Sequence, residues 1–114
     1  MSAGADGHEP KPGSTTPGQT AVSVPVWKAE GLQAGIWEVT PGTFSSTRDG
    51  YHEICQILSG KATITEANGR TFDVEQGTLF VTPAGWVGTW TVHETLRKVW
   101  VVQDLGFIDQ EGIP

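Results

Sequence analysis

From residue 32 onwards, hydrophobic and polar residues alternate in short runs that end at turn-forming residues. A period of two places successive side chains on opposite faces of a strand, so each run predicts a β-strand. Turn signals such as Pro41-Gly42 and Ser59-Gly60 recur about every 8–12 residues, a spacing typical of an all-β sandwich or barrel. The predicted strands cover residues 32–40, 52–58, 61–67, 70–75, 78–82, 87–93 and 97–103, and no run has the length and period of a helix.

The hairpin around Asn68-Gly69 has a pattern that predicts its register. A loop of two residues would place Ile64 opposite Asp73, whereas the three-residue loop 67–69 places Ile64 opposite Phe72. The second register brings apolar residues together on one face of the sheet. It also places Gly69 where a type I turn followed by a bulge needs a positive φ. We therefore predict the three-residue loop.

The length of 114 residues is enough for one domain with one core. Residues 1–20 are mostly Gly, Pro, Ser, Thr and Ala and hold no large apolar residue after Met1. This segment therefore buries too little apolar surface to offset the conformational entropy that it would lose on folding. We predict a disordered N-terminal tail over residues 1–20, a β-barrel over residues 21–108 and a C-terminal tail over residues 109–114.

The composition narrows the possible partners and location. Thirteen acidic and seven basic residues give a formal net charge of −6, which argues against nucleic acid or an anionic membrane as partner. The first residues lack the basic start and apolar stretch of a secretory signal, and no run approaches the ~20 apolar residues of a membrane span. Cys55 is the only cysteine, so no intrachain disulfide can form. We expect a cytoplasmic protein.

Two motifs resemble those of a known family. The stretch EICQILSGKATIT begins a strand with a Glu and has Gly60 before the next strand, and GTLFVTPAGW has the order Gly, five residues, Pro, one residue, Gly. Together they resemble the two signature motifs of the cupin superfamily. The flanks GIWEVTPGTF and GTWTVHETLRKVWVV look like its (S)-ureidoglycine aminohydrolase-like and ethanolamine-utilisation-like subfamily, of DUF861 type. The resemblance implies a single-domain, all-β cupin jelly-roll barrel that pairs as a homodimer.

The resemblance also bears on metal binding. Metal-binding cupins hold the ion with three histidines and a glutamate, and in this sequence the glutamate position is Glu53, while the histidine positions are Thr47, Asp49 and Gly88. A threonine and a glycine cannot replace imidazole ligands. We therefore predict no metal and no other cofactor. The alternative is a divalent cation held in an atypical way by Asp49 and Glu53.

Alternation along the strands predicts which side chains face the barrel interior. If Glu53 points inward, so does Cys55, and on a later strand Gly88 and Trp90 share one face. The missing side chain at Gly88 is expected to leave room over Trp90; alternatively, Gly88 permits a close approach of another part of the chain. The predicted ligand pocket consists of Trp37, Arg48, Tyr51, Glu53, Cys55, Gly88, Trp90 and Trp100.

Several of these residues also have purely structural interpretations. The tryptophans can be core aromatics, and Cys55 can be a small buried hydrophobe rather than a nucleophile. A carboxylate inside a barrel must be paired or hydrogen-bonded. Glu53 can be a general base with a raised pKa, or it can form a salt bridge with Arg48, Arg97 or Lys98.

Three functions therefore remain open. The first is a metal-free barrel that binds a small organic metabolite in a pocket lined by tryptophans. The second, which the resemblance implies, is an enzyme that acts on small nitrogenous or carbonyl metabolites with Glu53 as the catalytic base. The third is a structural or oligomeric barrel without a ligand.

Overall fold

The structure is a computed structural model that describes residues 7–105. All named elements in that range are strands, as the alternation predicts, so the predicted all-β class is confirmed. No helix within this range is long and apolar enough to cross a membrane. The predicted C-terminal tail over residues 109–114 lies outside the described residues. The strands are β1 (Glu9–Pro10), β2 (Thr20–Ala29), β3 (Leu32–Val39), β4 (Gly42–Thr47), β5 (Tyr51–Glu66), β6 (Thr71–Glu75), β7 (Leu79–Thr82) and β8 (Val87–Asp104).

Two long strands, β5 and β8, form the centre of the sheet. They pair with each other along almost their full length, with register shifts between Ile57 and Ala62. The first half of β8 also pairs with β4 and the second half with β3, while β5 pairs with β6 and β7 on its other side. The strand order is β1-β2-β3-β8-β5-β6, which is an open path. The predicted barrel is therefore an open sheet and not a closed ring of hydrogen bonds.

The hairpin between β5 and β6 has the predicted register. Ile64 pairs with Phe72 and Ala62 pairs with Val74. Gly69 has a φ of 90°, and its amide donates a hydrogen bond to the carbonyl oxygen of Glu66. The prediction of a three-residue loop is thus confirmed.

The segment before β2 packs on the barrel, so the prediction of a disordered tail over residues 1–20 is wrong for residues 8–20. The β1 strand pairs with the start of β2, and Ser14 forms a β-bridge with Phe44 on β4. The side chain of Gln19 is buried and donates a hydrogen bond to the carbonyl oxygen of Thr40. These contacts use mostly backbone groups, which every residue type carries, and they cover the free edge of β4.

The core fills the concave side of the sheet with aliphatic and aromatic side chains. Its buried residues are Val39, Phe44, Ile57, Ala62, Ile64, Val74, Trp86, Trp90, Val92 and Leu96. On the opposite face, the apolar side chains of Ile54, Leu79 and Val81 lie on paired strands and remain exposed. The two faces of β5 thus differ, because Glu53, Cys55 and Ile57 are buried on the inner face, as the alternation predicts.

Candidate functional site

A cavity of about 510 Å³ opens at one end of the barrel interior. The strands β2, β3, β4, β5 and β8 supply most of its walls, and the loop between β4 and β5 supplies Arg48. Residues 8–20, called the N-terminal segment below, supply Lys11. Aromatic rings and charged side chains lie next to each other in it. The lining residues are Lys11, Ser23, Gln33, Trp37, Phe44, Ser45, Ser46, Thr47, Arg48, Tyr51, Glu53, Trp90, Lys98, Trp100 and Val102.

The carboxylate of Glu53 is held between two cations. Lys98 Nζ lies 2.6 Å from Glu53 Oε2, and Arg48 Nε lies 3.1 Å from Glu53 Oε1. Burial by itself raises the pKa of Glu53, but the charges of Lys98 and Arg48 and the hydrogen bonds from Lys98 and Cys55 outweigh burial and hold the pKa below its ordinary value. Glu53 is therefore ionised at neutral pH. The expected salt bridges with Arg48 and Lys98 are present, and the raised pKa expected of a base is not.

The turn that contains Pro83, Ala84 and Gly85 fixes the position of Arg48. The amide of Arg48 donates to the carbonyl oxygen of Trp86, and the amide of Gly85 donates to the carbonyl oxygen of Arg48. The Arg48 side chain then donates to Thr82 Oγ1 at 2.9 Å. This network is local to the barrel corner, so the guanidinium is held in place at the cavity wall before any ligand arrives.

The ammonium of Lys98 lies between the carboxylate of Glu53 and two indole rings. Its Nζ is 4.7 Å from the ring centroid of Trp37 and 4.7 Å from that of Trp90. Trp37 pairs directly with Lys98 across β3 and β8. Cation–π attraction therefore adds to the ion pair in holding a buried ammonium at the cavity. Lys98 has the same strand parity as Trp90 and Trp100, and this alternation places it in the interior.

Trp100 forms another wall because its partner on β3 is a glycine. Trp100 pairs with Gly35, and a Cβ at Gly35 would lie 2.4 Å from Trp100 Cζ2. The indole therefore lies close to the backbone of β3, in space that a side chain at residue 35 would fill. This close approach places an apolar aromatic side chain in the cavity wall.

Gly88 does not open onto the cavity, which corrects the expectation of free space over Trp90. A Cβ at Gly88 would lie 2.4 Å from Trp86 Cη2 and 2.8 Å from the carbonyl oxygen of Thr65. The Trp86 indole thus fills the space next to Gly88, and its Nε1 donates to Glu66 Oε2 at 2.9 Å. Of the two interpretations, close approach is the one that the structure supports.

Cys55 faces the interior but does not line the cavity. Its thiol donates to Glu53 Oε2 at 3.1 Å and lies 3.6 Å from Lys98 Nζ. Burial, together with the charge of Glu53, raises the pKa of Cys55 to about 12, although Lys98 and Arg48 oppose the change. The thiol is therefore protonated and unsuited to nucleophilic attack, and it serves as a hydrogen-bond donor to Glu53.

The residues at the family's metal positions do not fit a divalent cation. The ammonium of Lys98 already occupies one oxygen of Glu53, and Trp86 covers Gly88. Asp49 lines a neighbouring depression of about 340 Å³ and not the cavity that Glu53 lines, so the structure gives no support to a metal between Asp49 and Glu53. Among residues 7–105, no three His, Cys, Asp or Glu side chains are grouped as metal ligands.

Six of the eight predicted pocket residues line the cavity, namely Trp37, Arg48, Tyr51, Glu53, Trp90 and Trp100. Lys98 was expected only as a salt-bridge partner, and Phe44 and Lys11 were not expected. Lys11 approaches from the N-terminal segment with its Nζ 4.3 Å from the ring centroid of Phe44. No sequence signal indicates Lys11, because the residues around it have no strand periodicity.

Several solved structures are similar to this chain. The EutQ protein of Clostridium difficile is 22% identical, with a TM-score of 0.70 over 81% of this chain and 74% of that one. A DUF861 family protein of Thermotoga maritima is 34% identical, with a TM-score of 0.54 over 57% of this chain and 73% of that one. The Schizosaccharomyces pombe Cnp3 cupin domain is 17% identical, with a TM-score of 0.68 over 96% of this chain and 77% of that one.

A comparison with curated proteins found no match. The model of EutQ-like cupin domains matches residues 26–100, from within β2 to the second half of β8. This match includes both motifs on which the resemblance was based, and the predicted subfamily is confirmed. The chain belongs to the family of EutQ-like cupin domains.

Proposed function

We propose that this protein binds a small organic metabolite in its tryptophan-lined cavity, without a metal ion. The observation that carries the proposal is the combination of a preformed apolar wall with a fixed charged cluster in one cavity. Trp37, Trp90 and Trp100 offer planar surfaces, and the Glu53–Lys98 pair offers oriented polar atoms. Small-molecule sites typically combine a mostly apolar lining with a few fixed polar groups.

The charge state of Glu53 favours binding over base catalysis. Both carboxylate oxygens already have partners in Arg48, Lys98 and Cys55, and the pKa of Glu53 is lowered. A general base works best when its pKa lies near the working pH and when it can reach the proton that it removes. The enzyme that the resemblance implies, with Glu53 as its base, therefore has less support from this geometry than a binding protein.

A fragment screen by ligand-observed NMR tests the proposed function. We expect several flat aryl fragments to bind the full chain and to lose at least about fivefold in affinity on Trp100→Phe, because a smaller ring covers less of the ligand. Trp27→Phe is the matched control, because Trp27 is exposed and lies outside the cavity. A screen without binders, or binders that both variants weaken equally, would contradict the proposal.

Three other expectations stay predictions. These are pairing with a second copy, location in the cytoplasm and the absence of a nucleic-acid partner, and no contact in the structure tests them. Sedimentation of the full chain measures the first of these directly. The exposed Ile54, Leu79 and Val81 lie on paired strands of the outer face, where a second copy would bury apolar side chains.

A further inference from the structure

The charges in the cavity lining do not balance. Among residues 7–105, the lining has three cationic side chains, Lys11, Arg48 and Lys98, and one carboxylate, Glu53. The whole chain has the opposite sign, with a formal net charge of −6. Glu53 neutralises one of the three cations, so the cavity holds a local positive excess within an acidic protein. Such an excess attracts and orients an anion.

Of the three cations in the lining, Lys11 is the one without a carboxylate partner among residues 7–105. Its Nζ donates to the carbonyl oxygen of Pro12 at 2.7 Å and lies over the ring of Phe44. Burial, followed by the charges of Lys98 and Arg48, lowers the pKa of Lys11. The ammonium of Lys11 is therefore held near two other cations, an arrangement that an anion between them would stabilise.

The indole of Trp90 is part of the cavity lining, although Trp90 is only 1% exposed. Its Nε1 donor is closed to solvent and has no acceptor among residues 7–105. The positive charge of the lining, and not this donor, therefore points to a ligand that supplies acceptor oxygens.

We propose that the ligand is a small organic anion, a carboxylate or a phosphate ester with a flat apolar body, and that Lys11 is a binding residue for its anionic group. The anion lies against Lys11, Lys98 and Arg48, and the body lies against Trp37 and Trp100. The N-terminal segment thereby determines specificity, because it carries Lys11 to the cavity. This inference rests on the proposed function and narrows its ligand to one chemical class.

Aryl fragments in matched forms test the charge of the ligand. Each of several phenyl and naphthyl bodies is measured as carboxylate, phosphonate, primary amide and primary amine by saturation-transfer NMR titration with the full chain. We expect one of the two anionic forms to bind at least about tenfold tighter than the amide, because hydrogen bonds to charged groups are the stronger ones. The order of carboxylate and phosphonate then identifies which anion the cavity prefers.

The variant Lys11→Met tests the role of Lys11. We expect it to weaken the preferred anion about tenfold and to leave the amide within about twofold, because only the anion gains from the ammonium. Lys61→Met is the matched control, since Lys61 is exposed, lies outside the cavity and changes the net charge equally. A melting temperature near that of the unmodified chain verifies that Lys11→Met is folded.

The outcomes separate this inference from the proposed function. Amides or amines that bind as tightly as the anions would overturn the anion proposal and leave a binding cavity. Anion binding that Lys61→Met weakens as much as Lys11→Met would overturn the role of Lys11. The absence of any binding would overturn both proposals.

Discussion

Two carboxylates lie on opposite faces of the same sheet, and each contacts two basic side chains. On the inner face, Glu53 contacts Lys98 and Arg48; on the outer face, Glu38 contacts Arg97 at 3.0 Å and His8 at 2.7 Å. Arg97 and Lys98 are consecutive on β8, so their side chains leave the strand on opposite faces. Two adjacent residues of β8 thus form ion pairs on opposite faces, Arg97 with Glu38 and Lys98 with Glu53.

The two clusters perform different tasks. The outer cluster joins the N-terminal segment to β3 and β8, because His8 contacts Glu38 on β3 and Glu38 contacts Arg97 on β8. His8 also contacts Thr20 at the start of β2. The inner cluster borders the cavity, where its groups are available to a ligand. The comparison shows that a carboxylate with two basic partners is not by itself a functional site, and that the neighbouring cavity and indole rings make the inner cluster the candidate.

The largest expected difference between the two faces is in stability. Glu53→Gln leaves the buried Arg48 and Lys98 without their counterion, and we expect it to lower the free energy of unfolding by about 3 kcal/mol or more. Glu38→Gln is the matched change on the outer face, where partial exposure limits the expected loss to about 1 kcal/mol. Urea denaturation of both variants measures the difference, and equal losses would contradict our distinction between the faces.

A smaller effect is expected from packing at the start of β8. Gly88→Ala forces a methyl group against the Trp86 indole and the backbone of β5, and we expect a loss of about 2 kcal/mol in the free energy of unfolding. Val87→Ala changes the adjacent, half-exposed residue on the other face, where we expect a change within about 0.5 kcal/mol. If Gly88→Ala is as stable as Val87→Ala, the Trp86 indole is not packed against Gly88.

The smallest effect is expected in the response to acid. Both carboxyl groups have a folded-state pKa below the ordinary 4.5, so the unfolded chain binds their protons more tightly. Their contribution to stability is present above pH 4.5 and is lost as the pH falls through the folded-state values. We expect the free energy of unfolding to fall by about 1 kcal/mol or more between about pH 5 and pH 3.

The two glutamine variants divide this acid response between the faces. Each variant lacks one titrating carboxyl group, so its free energy of unfolding should depend less on pH over the same interval than that of the unmodified chain. Denaturant titrations at several pH values measure these slopes. Slopes that neither variant reduces would show that other carboxyl groups control unfolding in acid.

Alternation predicts much of this fold because half-buried strands impose it directly. The inward direction of Glu53, Cys55 and Ile57 follows from their spacing, as does the register of Ile64 against Phe72. The same rule, applied to Trp90 and Trp100, also identifies Lys98 as an interior residue. Its proximity to Glu53 requires the pairing of β5 with β8, which the strand pattern alone does not determine.

Two features of the site, the Trp86 ring next to Gly88 and the position of Lys11, could not be predicted from the alternation along the strands. Spacing along a strand indicates the direction of a side chain but not the volume that a neighbour fills, so the Trp86 ring next to Gly88 was missed. Composition estimates the apolar area that a segment can bury but not the backbone hydrogen bonds that it can add to a sheet edge. The position of Lys11 depends on such bonds, which Gly13 and Thr15 form with β4.

Because Cys55 is buried, the reactivity of its thiol reports the opening of the barrel. Its thiol is fully buried, with a pKa raised to about 12, and the sequence has no other cysteine. Alkylating reagents attack the thiolate, so they react with this chain only while the barrel is open around Cys55. The rate of alkylation, read by mass spectrometry, therefore reports how much of the chain is open at the charged cluster, and a ligand that stabilises the closed barrel slows it without any label or added probe group.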